Sequence, residues 1–393
     1  MARPRVLLGM SGGVDSSVAA LLLTEQGYGV EGITLQVWEH EDETTATSKK
    51  WQERGCCKVG IARHVAKLLN IPHRVVDTRE KFQTSVVDDF VSGYLSGTTP
   101  NPCVRCNERV KFGMLYELAK SSGVEYVATG HYAQIRRTPN AYGLYQSVDA
   151  KKDQTYFLYR ISRSWLSRIL FPVGGLEKTD VWKRAGDLDL PVDELKESQE
   201  ICFVTQGDYR EFLKIEAPTA QRPGPFVDTT GGQIGEHRGI AFYTPGQRRG
   251  LGVATGERMY VKEVIPETNE VVLGSSDDLL QTTCCVSDLN WLEDSVHDGQ
   301  TVSVKYRYGS PPVTAVLHRE SENELTIEFA QPQHAISPGQ SAVFYREDQV
   351  LGGGIIQRAK VPNKTEIPLH QLNVQNPSDV KSSGSTTVLQ PTG

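Results

Sequence analysis

No stretch of the sequence approaches the ~18 consecutive apolar residues of a membrane-spanning helix, so no membrane partner is expected. A GxGxxG fingerprint is missing, as is a Lys-Ser/Thr pair after GxxxxG. Those two absences exclude the dinucleotide-binding turn and the Walker phosphate loop. Cysteine is sparse, with 7 in 393 residues. Basic residues and a short apolar run open the chain, but no small-residue cleavage site comes before the first Gly-rich turn. A secretory leader is therefore not expected, and the expected location is the cytoplasm. In that compartment the cysteines read as thiols with chemistry, not as a disulfide framework.

An excess of positive charge is also missing overall, since the chain carries a formal charge of −6. Local counting reverses the inference. Between Asn101 and Arg184 there are 14 Lys and Arg against 7 Asp and Glu, which leaves −13 for the rest of the chain. A positive face on an acidic protein suits a selective RNA binder, because phosphate contacts supply most of the affinity. The length predicts two or three domains, and 38% hydrophobic with 23% charged residues is ordinary for a globular protein.

What the sequence does have is the stretch Gly9, Met10, Ser11, Gly12, Gly13, Val14, Asp15, Ser16, Ser17. It follows the apolar run Val6-Leu7-Leu8, a predicted buried strand, and precedes a predicted helix closed by Gly27. Gly12 and Gly13 let backbone N–H groups approach an anion, and the helix aims its unpaired N–H groups and positive dipole end at the same place. This SGGxDS turn resembles the pyrophosphatase loop of the ATP pyrophosphatase superfamily. In that resemblance Ser11, Gly12, Gly13 and Ser16 hold the leaving pyrophosphate and Asp15 helps place Mg²⁺, with no metal site of the protein's own assigned.

Alternating strands and helices to about residue 206 predict an α/β domain with a doubly wound parallel sheet, whose ligands lie at the carboxyl ends of the strands. Helices are expected over 80–95 and 108–121, helical segments over 153–188, and a hairpin from 132–137 and 142–148. An exposed loop at 39–54 ends in Cys56-Cys57. A small mixed domain is expected over 207–274 and a C-terminal β-barrel over 275–360, with a disordered tail over 361–393.

Cys103 and Cys106 stand in Asn101-Pro-Cys-Val-Arg-Cys-Asn107, after two prolines that predict an extended approach and before a helix. Beside Arg105 and Arg109, a thiol here is expected to ionise near neutral pH. A structural zinc site, and an iron–sulfur cluster using Cys103, Cys106 and Cys202, are the alternatives. Cys202, beside Ile201 and Phe203, reads on composition as a small core residue, as do Cys284 and Cys285. Cys56 and Cys57 stay undecided.

Together these blocks resemble the tRNA-specific 2-thiouridylases, which replace the C2 oxygen of the wobble uridine with sulfur. The matching segments are Gly9–Ser17, Thr99–Asn107, Ala128–Ala133, Lys152–Leu158, Ser198–Phe203, Thr244–Gly252 and Ser337–Tyr345. The resemblance implies ATP bound by Gly9 to Ser16, Leu35 and Gly130, with Mg²⁺. It implies Cys106 as the nucleophile, Cys202 as the persulfide carrier and a transient Cys106–Cys202 disulfide. Asn101, Pro102 and Cys103 would touch the target base. His131, Lys152, Asp153, Gln154, Lys305, Tyr306, Arg307 and Gln340 would contact tRNA. The implied partners are the tRNAs for Lys, Glu and Gln and a cysteine desulfurase or sulfur-relay protein. Position 103 is Asp in many members and Cys here, a departure that removes the carboxylate base of those members. Other ATP pyrophosphatases, such as an amidotransferase-like or argininosuccinate-type synthetase, need no thiol pair; a metal-containing RNA-binding protein would use the cysteines structurally.

Overall fold

The computed structural model describes residues 3–38, 58–138, 141–186, 188, 201–204, 208–254, 256–294 and 296–358. The expected loop at 39–54, Cys56 and Cys57, and the tail over 361–393 lie outside the described residues. Among the described residues no helix is long and apolar enough to cross a membrane.

Buried apolar runs build a parallel sheet first. Its strands are β1 (Arg5–Gly9), β2 (Gly29–Gln36), β3 (His73–Asp77) and β4 (Tyr126–Thr129), ordered β3-β2-β1-β4, with the short strand Ile169–Leu170 outside β4. All neighbours are parallel. Helix α1 (Val14–Glu25) follows β1, and α2 (Val59–Leu68) precedes β3. Successive residues of β1 face opposite sides of the sheet. Val6 and Leu8 pack with Val18, Leu23 and Val65 on one side. Leu7 packs with Phe90, Val110 and Leu115 on the other. Because the order reverses between β1 and β4, the crevice at their carboxyl ends is the topological switch point, where such sheets bind ligands.

Two long helices cover the Leu7 side. Helix α3 spans residues 79–95 with one π-turn at Gln83–Val87, and α4 spans residues 102–122 with another at Cys106–Phe112. The approach is extended up to Asn101, as expected, but the helix begins at Pro102 and not at Glu108. Asn101 serves as N-cap, accepting the Val104 N–H through its side chain at 3.4 Å, and Pro102 takes the first helical position, where a missing N–H costs nothing. Cys103 and Cys106 therefore lie inside a helix, one turn apart.

The helical segments expected over 153–171 are also corrected. The chain there forms 3₁₀ turns at Thr155–Phe157 and Arg163–Arg168 and then the edge strand Ile169–Leu170; the helix α5 begins only at Lys178–Gly186. Aromatic and β-branched residues are weak helix formers, and tertiary bonds decide the outcome. The Tyr156 hydroxyl donates to the Ser341 carbonyl at 3.0 Å, and the Tyr159 hydroxyl pairs with Ser341 Oγ at 3.1 Å.

The middle segment carries helix α6 (Tyr209–Glu216) and a four-stranded mixed sheet of Gly224–Val227, Gln233–His237, Tyr260–Ile265 and Glu270–Gly274. Beyond it, six antiparallel strands close into a barrel, because Leu280–Trp291 pairs with both Glu324–His334 and Gln349–Ile356. The expected hairpin forms, as Gln134–Arg137 and Tyr142–Tyr145, and it adds to this barrel sheet through Leu144 opposite Val350. Gly353 allows the close approach behind it: a Cβ there would stand 2.8 Å from the Tyr159 ring.

Candidate nucleotide and thiol site

At the end of β1 the chain must turn sharply into α1. Gly12 has φ +77, and a Cβ on it would stand 2.1 Å from the Lys58 carbonyl oxygen, so no other residue fits. The turn is held by the Lys58 N–H donating to the Ser11 carbonyl at 2.7 Å and by the Ser16 and Ser17 hydroxyls donating to the Gly13 carbonyl at 3.0 Å. Gly13 is the N-cap of α1 and offers no side-chain acceptor, which leaves the first turn directed at the crevice. Gly130, just past β4, lies against that turn, since a Cβ there would be 2.6 Å from Asp15 C and Ser16 N. The Met10 N–H donates to the Ile33 carbonyl at 2.8 Å, which brings Leu35, two residues on in β2, to the same end of the sheet. Gly9 to Ser16, Leu35 and Gly130 are thus gathered at the switch point.

Asp15 is engaged within the protein. Its Oδ1 accepts from Lys178 Nζ at 2.6 Å and from the Tyr132 hydroxyl at 2.9 Å. Lys178 is itself only 8% exposed, and its Nζ lies 5.4 Å from the Tyr132 ring centre and 5.2 Å from that of Trp182. The sequence reading missed Lys178. One signal was present: a lysine as the first residue of a helix faces the positive end of the dipole, a local conflict that marks functional positions. Among the described residues no group of three His, Cys, Asp or Glu side chains is arranged to hold a metal. Mg²⁺ fits this site only as a companion of the nucleotide phosphates, with Asp15 as one carboxylate beside them.

Helix α4 links this crevice to the thiols. Cys103 is exposed, whereas Cys106, the first residue of the π-turn, is 7% exposed and belongs to the core that contains Val104, Val110 and Phe112. Cys202 is half-buried against the same core, and its neighbour Phe203 fixes it there, 5.6 Å from Phe82 and 5.2 Å from Phe90 between ring centres. Cys202 packs against this core, as expected, and also lies within electrostatic range of both α4 thiols.

The expected ionised thiol is corrected. Burial pushes the Cys106 thiol up to about 12; the Lys111 cation pulls the other way, while Cys202 and Cys103 push further up. Cys103 keeps surface open to solvent, yet the protein mass packed around it raises its thiol too, against the same opposing pull of Lys111. The flanking arginines are spent elsewhere. Arg105 pairs with Glu108 at 3.2 Å, Asp288 at 3.1 Å and Asp89 at 3.6 Å, and Arg109 lies 3.7 Å from both Asp89 and Glu108.

Lys111 also reaches His131, which follows Gly130. Burial, then Lys111, holds that imidazole well below its ordinary value, so it is neutral. His131 Nδ1 is 2.7 Å from Thr129 Oγ1, and its ring packs on Phe112 at 5.7 Å. One cation thus acts on Cys103, Cys106 and a residue adjoining the phosphate turn.

The barrel holds the loop before α4. The Thr99 N–H donates to the Pro338 carbonyl at 2.7 Å, and Gln340 Nε2 donates to the Thr99 carbonyl at 2.8 Å. Several residues that the resemblance assigns to tRNA are used internally. Gln340 is one. Asp153 is buried, accepting from Ser147 N at 3.2 Å and Thr155 Oγ1 at 2.7 Å, and Gln154 accepts the Tyr132 N–H at 2.9 Å. The Lys152 N–H donates to Asp149, and Lys305 Nζ lies 3.9 Å from Asp153. The Tyr306 hydroxyl donates to Gln333 at 3.3 Å. Arg307 is exposed, with Nη2 donating to the Ala335 carbonyl at 3.0 Å. Next to it the half-exposed Tyr308, also missed, packs on Phe157 at 4.4 Å between centres. Cys284 is buried, as expected, while Cys285, also expected in the core, is only half-buried in the barrel wall.

Comparison with known proteins matches three successive family models: the tRNA methyl transferase HUP domain over residues 4–206, the tRNA methyl transferase PRC-barrel domain over 210–275 and the aminomethyltransferase beta-barrel domain over 281–356. The chain is 44% identical over 362 residues to the tRNA-specific 2-thiouridylase MnmA of Carboxydothermus hydrogenoformans, covering 91% of this chain and 98% of that one. It is 44% identical over 359 residues to MnmA 2 of Clostridium tetani, covering 90% and 99%. It is 42% identical over 360 residues to MnmA 1 of Clostridium botulinum strain Loch Maree, covering 91% and 100%.

Proposed function

Because the chain belongs to the tRNA-specific 2-thiouridylase family, we propose that it thiolates the wobble uridine of tRNA at C2, spending ATP to activate the oxygen and a persulfide to supply the sulfur. The uracil C2 oxygen is a poor leaving group. Attack of that oxygen on the α-phosphorus of ATP forms an adenylated base and releases pyrophosphate. The Ser11–Ser16 turn and the α1 N-terminus receive the leaving pyrophosphate, and Lys178 offsets its charge. Mg²⁺ bound with the nucleotide would spread the developing charge further.

Sulfur arrives as a persulfide on Cys202, passed from a cysteine desulfurase or relay protein. Cys106 attacks the inner sulfur, forming a Cys106–Cys202 disulfide and releasing hydrosulfide. Hydrosulfide adds to C2, and AMP leaves with the original oxygen. Lys111 stabilises the thiolate that Cys106 becomes during attack, which its burial otherwise disfavours. The two thiols need to come within ~4.4–6.8 Å between Cα atoms in some state. The base must leave the anticodon stack, at a cost that an unpaired loop keeps low. Asn101, Pro102 and Cys103 would meet it, and His131, a neutral ring beside Gly130, would border it. Arg307 and the other basic residues would grip phosphates of tRNAs for Lys, Glu and Gln.

One observation supports this reading over methyl transfer: Lys111 acts at once on Cys103, Cys106 and His131. Thiols beside a nucleotide-phosphate turn suit sulfur transfer to an ATP-activated oxygen, whereas methyl transfer from an already activated donor needs no turn to receive pyrophosphate. The test incubates the full chain with ATP-Mg²⁺, a persulfide source and unmodified tRNA, and follows AMP and 2-thiouridine by mass spectrometry. Cys106→Ser and Cys202→Ser are each expected to abolish 2-thiouridine while retaining tRNA binding. Repeated turnover by Cys202→Ser with a desulfurase as sulfur source would overturn the persulfide assignment.

A further inference from the structure

A disulfide made at Cys106 would form where reductant has little access, because Cys106 is 7% exposed and set in the core. The same helical turn carries a second thiol that is exposed. Residues three apart on a helix have Cβ atoms ~5–6 Å apart, and a disulfide needs ~3.5–4.5 Å, so the first turn of α4 must tighten slightly to join the two. That turn is loosely tied. The Val104 N–H to Asn101 Oδ1 distance is 3.4 Å and the Arg105 N–H to Asn101 carbonyl distance is 3.5 Å, both at the long end for a hydrogen bond. The π-turn that begins at Cys106 further breaks the regular spacing.

We infer that Cys103 is the resolving thiol of this enzyme, reopening the Cys106–Cys202 disulfide by exchange and carrying the bond to where a reductant can reach it. The inference rests on the proposed function, which supplies that disulfide. In the exchange, the Cys103 thiolate attacks Cys106 Sγ. A Cys103–Cys106 bond forms, the Cys106–Cys202 bond breaks, and Cys202 leaves as a thiolate that takes up the proton Cys103 gave to solvent. No electrons are gained or lost in that step. A dithiol reductant then attacks Cys103 Sγ, is itself oxidised to its disulfide, and returns Cys103 and Cys106 to thiols. Cys202 is freed for the next persulfide before any reductant has entered the core. Cys103 is suited to the task because it is exposed, shares a turn with Cys106 and lies within electrostatic range of Cys202, with the Lys111 cation acting on both Cys103 and Cys106.

The test needs no turnover. Full-length enzyme is oxidised with diamide, quenched in acid, blocked with N-ethylmaleimide and digested for disulfide mapping; its re-reduction by limiting dithiothreitol is timed in parallel. Wild type is expected to yield the Cys103–Cys106 pair. Cys103→Ser and Cys103→Ala, with thermal midpoints confirming that they fold, are expected to hold Cys106–Cys202 and to be reduced at least tenfold more slowly. A wild-type map showing Cys106–Cys202 alone, or equal reduction rates in wild type and both variants, overturns the inference. Failure of the thiolation reading would appear separately, as wild type that makes no 2-thiouridine, because the exchange assay contains no tRNA or ATP.

Discussion

Lys178 and Asp15, 163 residues apart in the chain, meet at 2.6 Å beside the phosphate turn, Nζ donating to Oδ1. The contact ties the start of α5 to the first turn of α1 and sets a cation where a polyanion would leave. Replacing Lys178 by Met keeps most of the apolar stem while removing the charge. Pyrophosphate release in the presence of tRNA is expected to fall by about 10²–10³, the usual loss when one preorganised donor to developing charge is removed. Asp15 keeps the Tyr132 hydroxyl and is a third exposed, so the fold should persist. An unchanged rate of pyrophosphate release in Lys178→Met would remove Lys178 from the ATP site.

Two buried thiols make opposite uses of a raised pKa. Cys106, pushed up to about 12 by burial, is protonated at neutral pH in the resting enzyme. Its alkylation by iodoacetamide should be slower than that of Cys103 and should rise about tenfold per pH unit across the range where the chain stays folded. Lys111→Met removes an opposing charge and should slow it further; equal rates for the two cysteines at pH 7 would contradict the burial argument. Cys284, also raised to about 12 by burial, has no proposed chemistry and reports on stability. The fold keeps its proton above the ordinary thiol value, where the unfolded chain gives it up. The stabilisation is complete below about pH 9 and is lost as pH rises toward 12, at ~1.4 kcal/mol per pH unit for each such thiol. Cys284→Val should flatten the alkaline limb of a stability–pH curve measured by denaturant unfolding.

The legible parts of this molecule are those whose causes are local. Val6 to Leu8 followed by Gly12 and Gly13 is a strand and a tight turn whatever surrounds them, and the alternation of strands and helices up to β4 follows from spacing alone. The start of α4 was also written locally, in Asn101-Pro102, an extended N-cap followed by proline at the first helical position, a signature that the expected start at Glu108 passed over. The barrel's grip on Thr99, just before it, comes from residues far along the chain. The thiols' protonation was not legible, because Arg105 and Arg109 are neighbours in sequence whose charges are taken by Asp89, Glu108 and Asp288, while the burial comes from distant apolar residues. Lys178 was missed for the same reason: its partner Asp15 is 163 residues away in the chain.

Asp288 joins the barrel to the helix of the thiols. It accepts from Arg105 at 3.1 Å and from Arg160 Nη2 at 3.1 Å, while its carbonyl accepts from Arg160 Nη1 at 2.7 Å. Its φ of +52 places it in the left-handed region, which Asn tolerates better than Ala. Asp288→Ala loses both the ion pairs and the tolerated backbone, and because the carboxylate is about half exposed the expected cost is only about 1 kcal/mol. Asp288→Asn should cost less. A thermal midpoint for Asp288→Asn at or below that of Asp288→Ala would show that backbone conformation has no part in the effect.

Arg307 and Tyr308 are adjacent, both open to solvent, and separate two kinds of RNA contact in one measurement. Arg307 offers a charge, so if it meets a phosphate its loss should weaken tRNA binding and reduce the slope of log affinity against log salt by about 0.7–0.9. Tyr308 offers a ring, backed by Phe157 at 4.4 Å and 50% exposed. Stacking of a base on it is worth about 1–3 kcal/mol and carries no counterion release. Tyr308→Ala should therefore weaken binding about tenfold at every salt concentration and leave the slope unchanged, while Tyr308→Phe binds as wild type. The hydroxyl has no role in this account, so a loss in Tyr308→Phe as large as that in Tyr308→Ala would replace stacking with a hydrogen bond. A slope change in Tyr308→Ala would mean that the ring acts only by positioning Arg307.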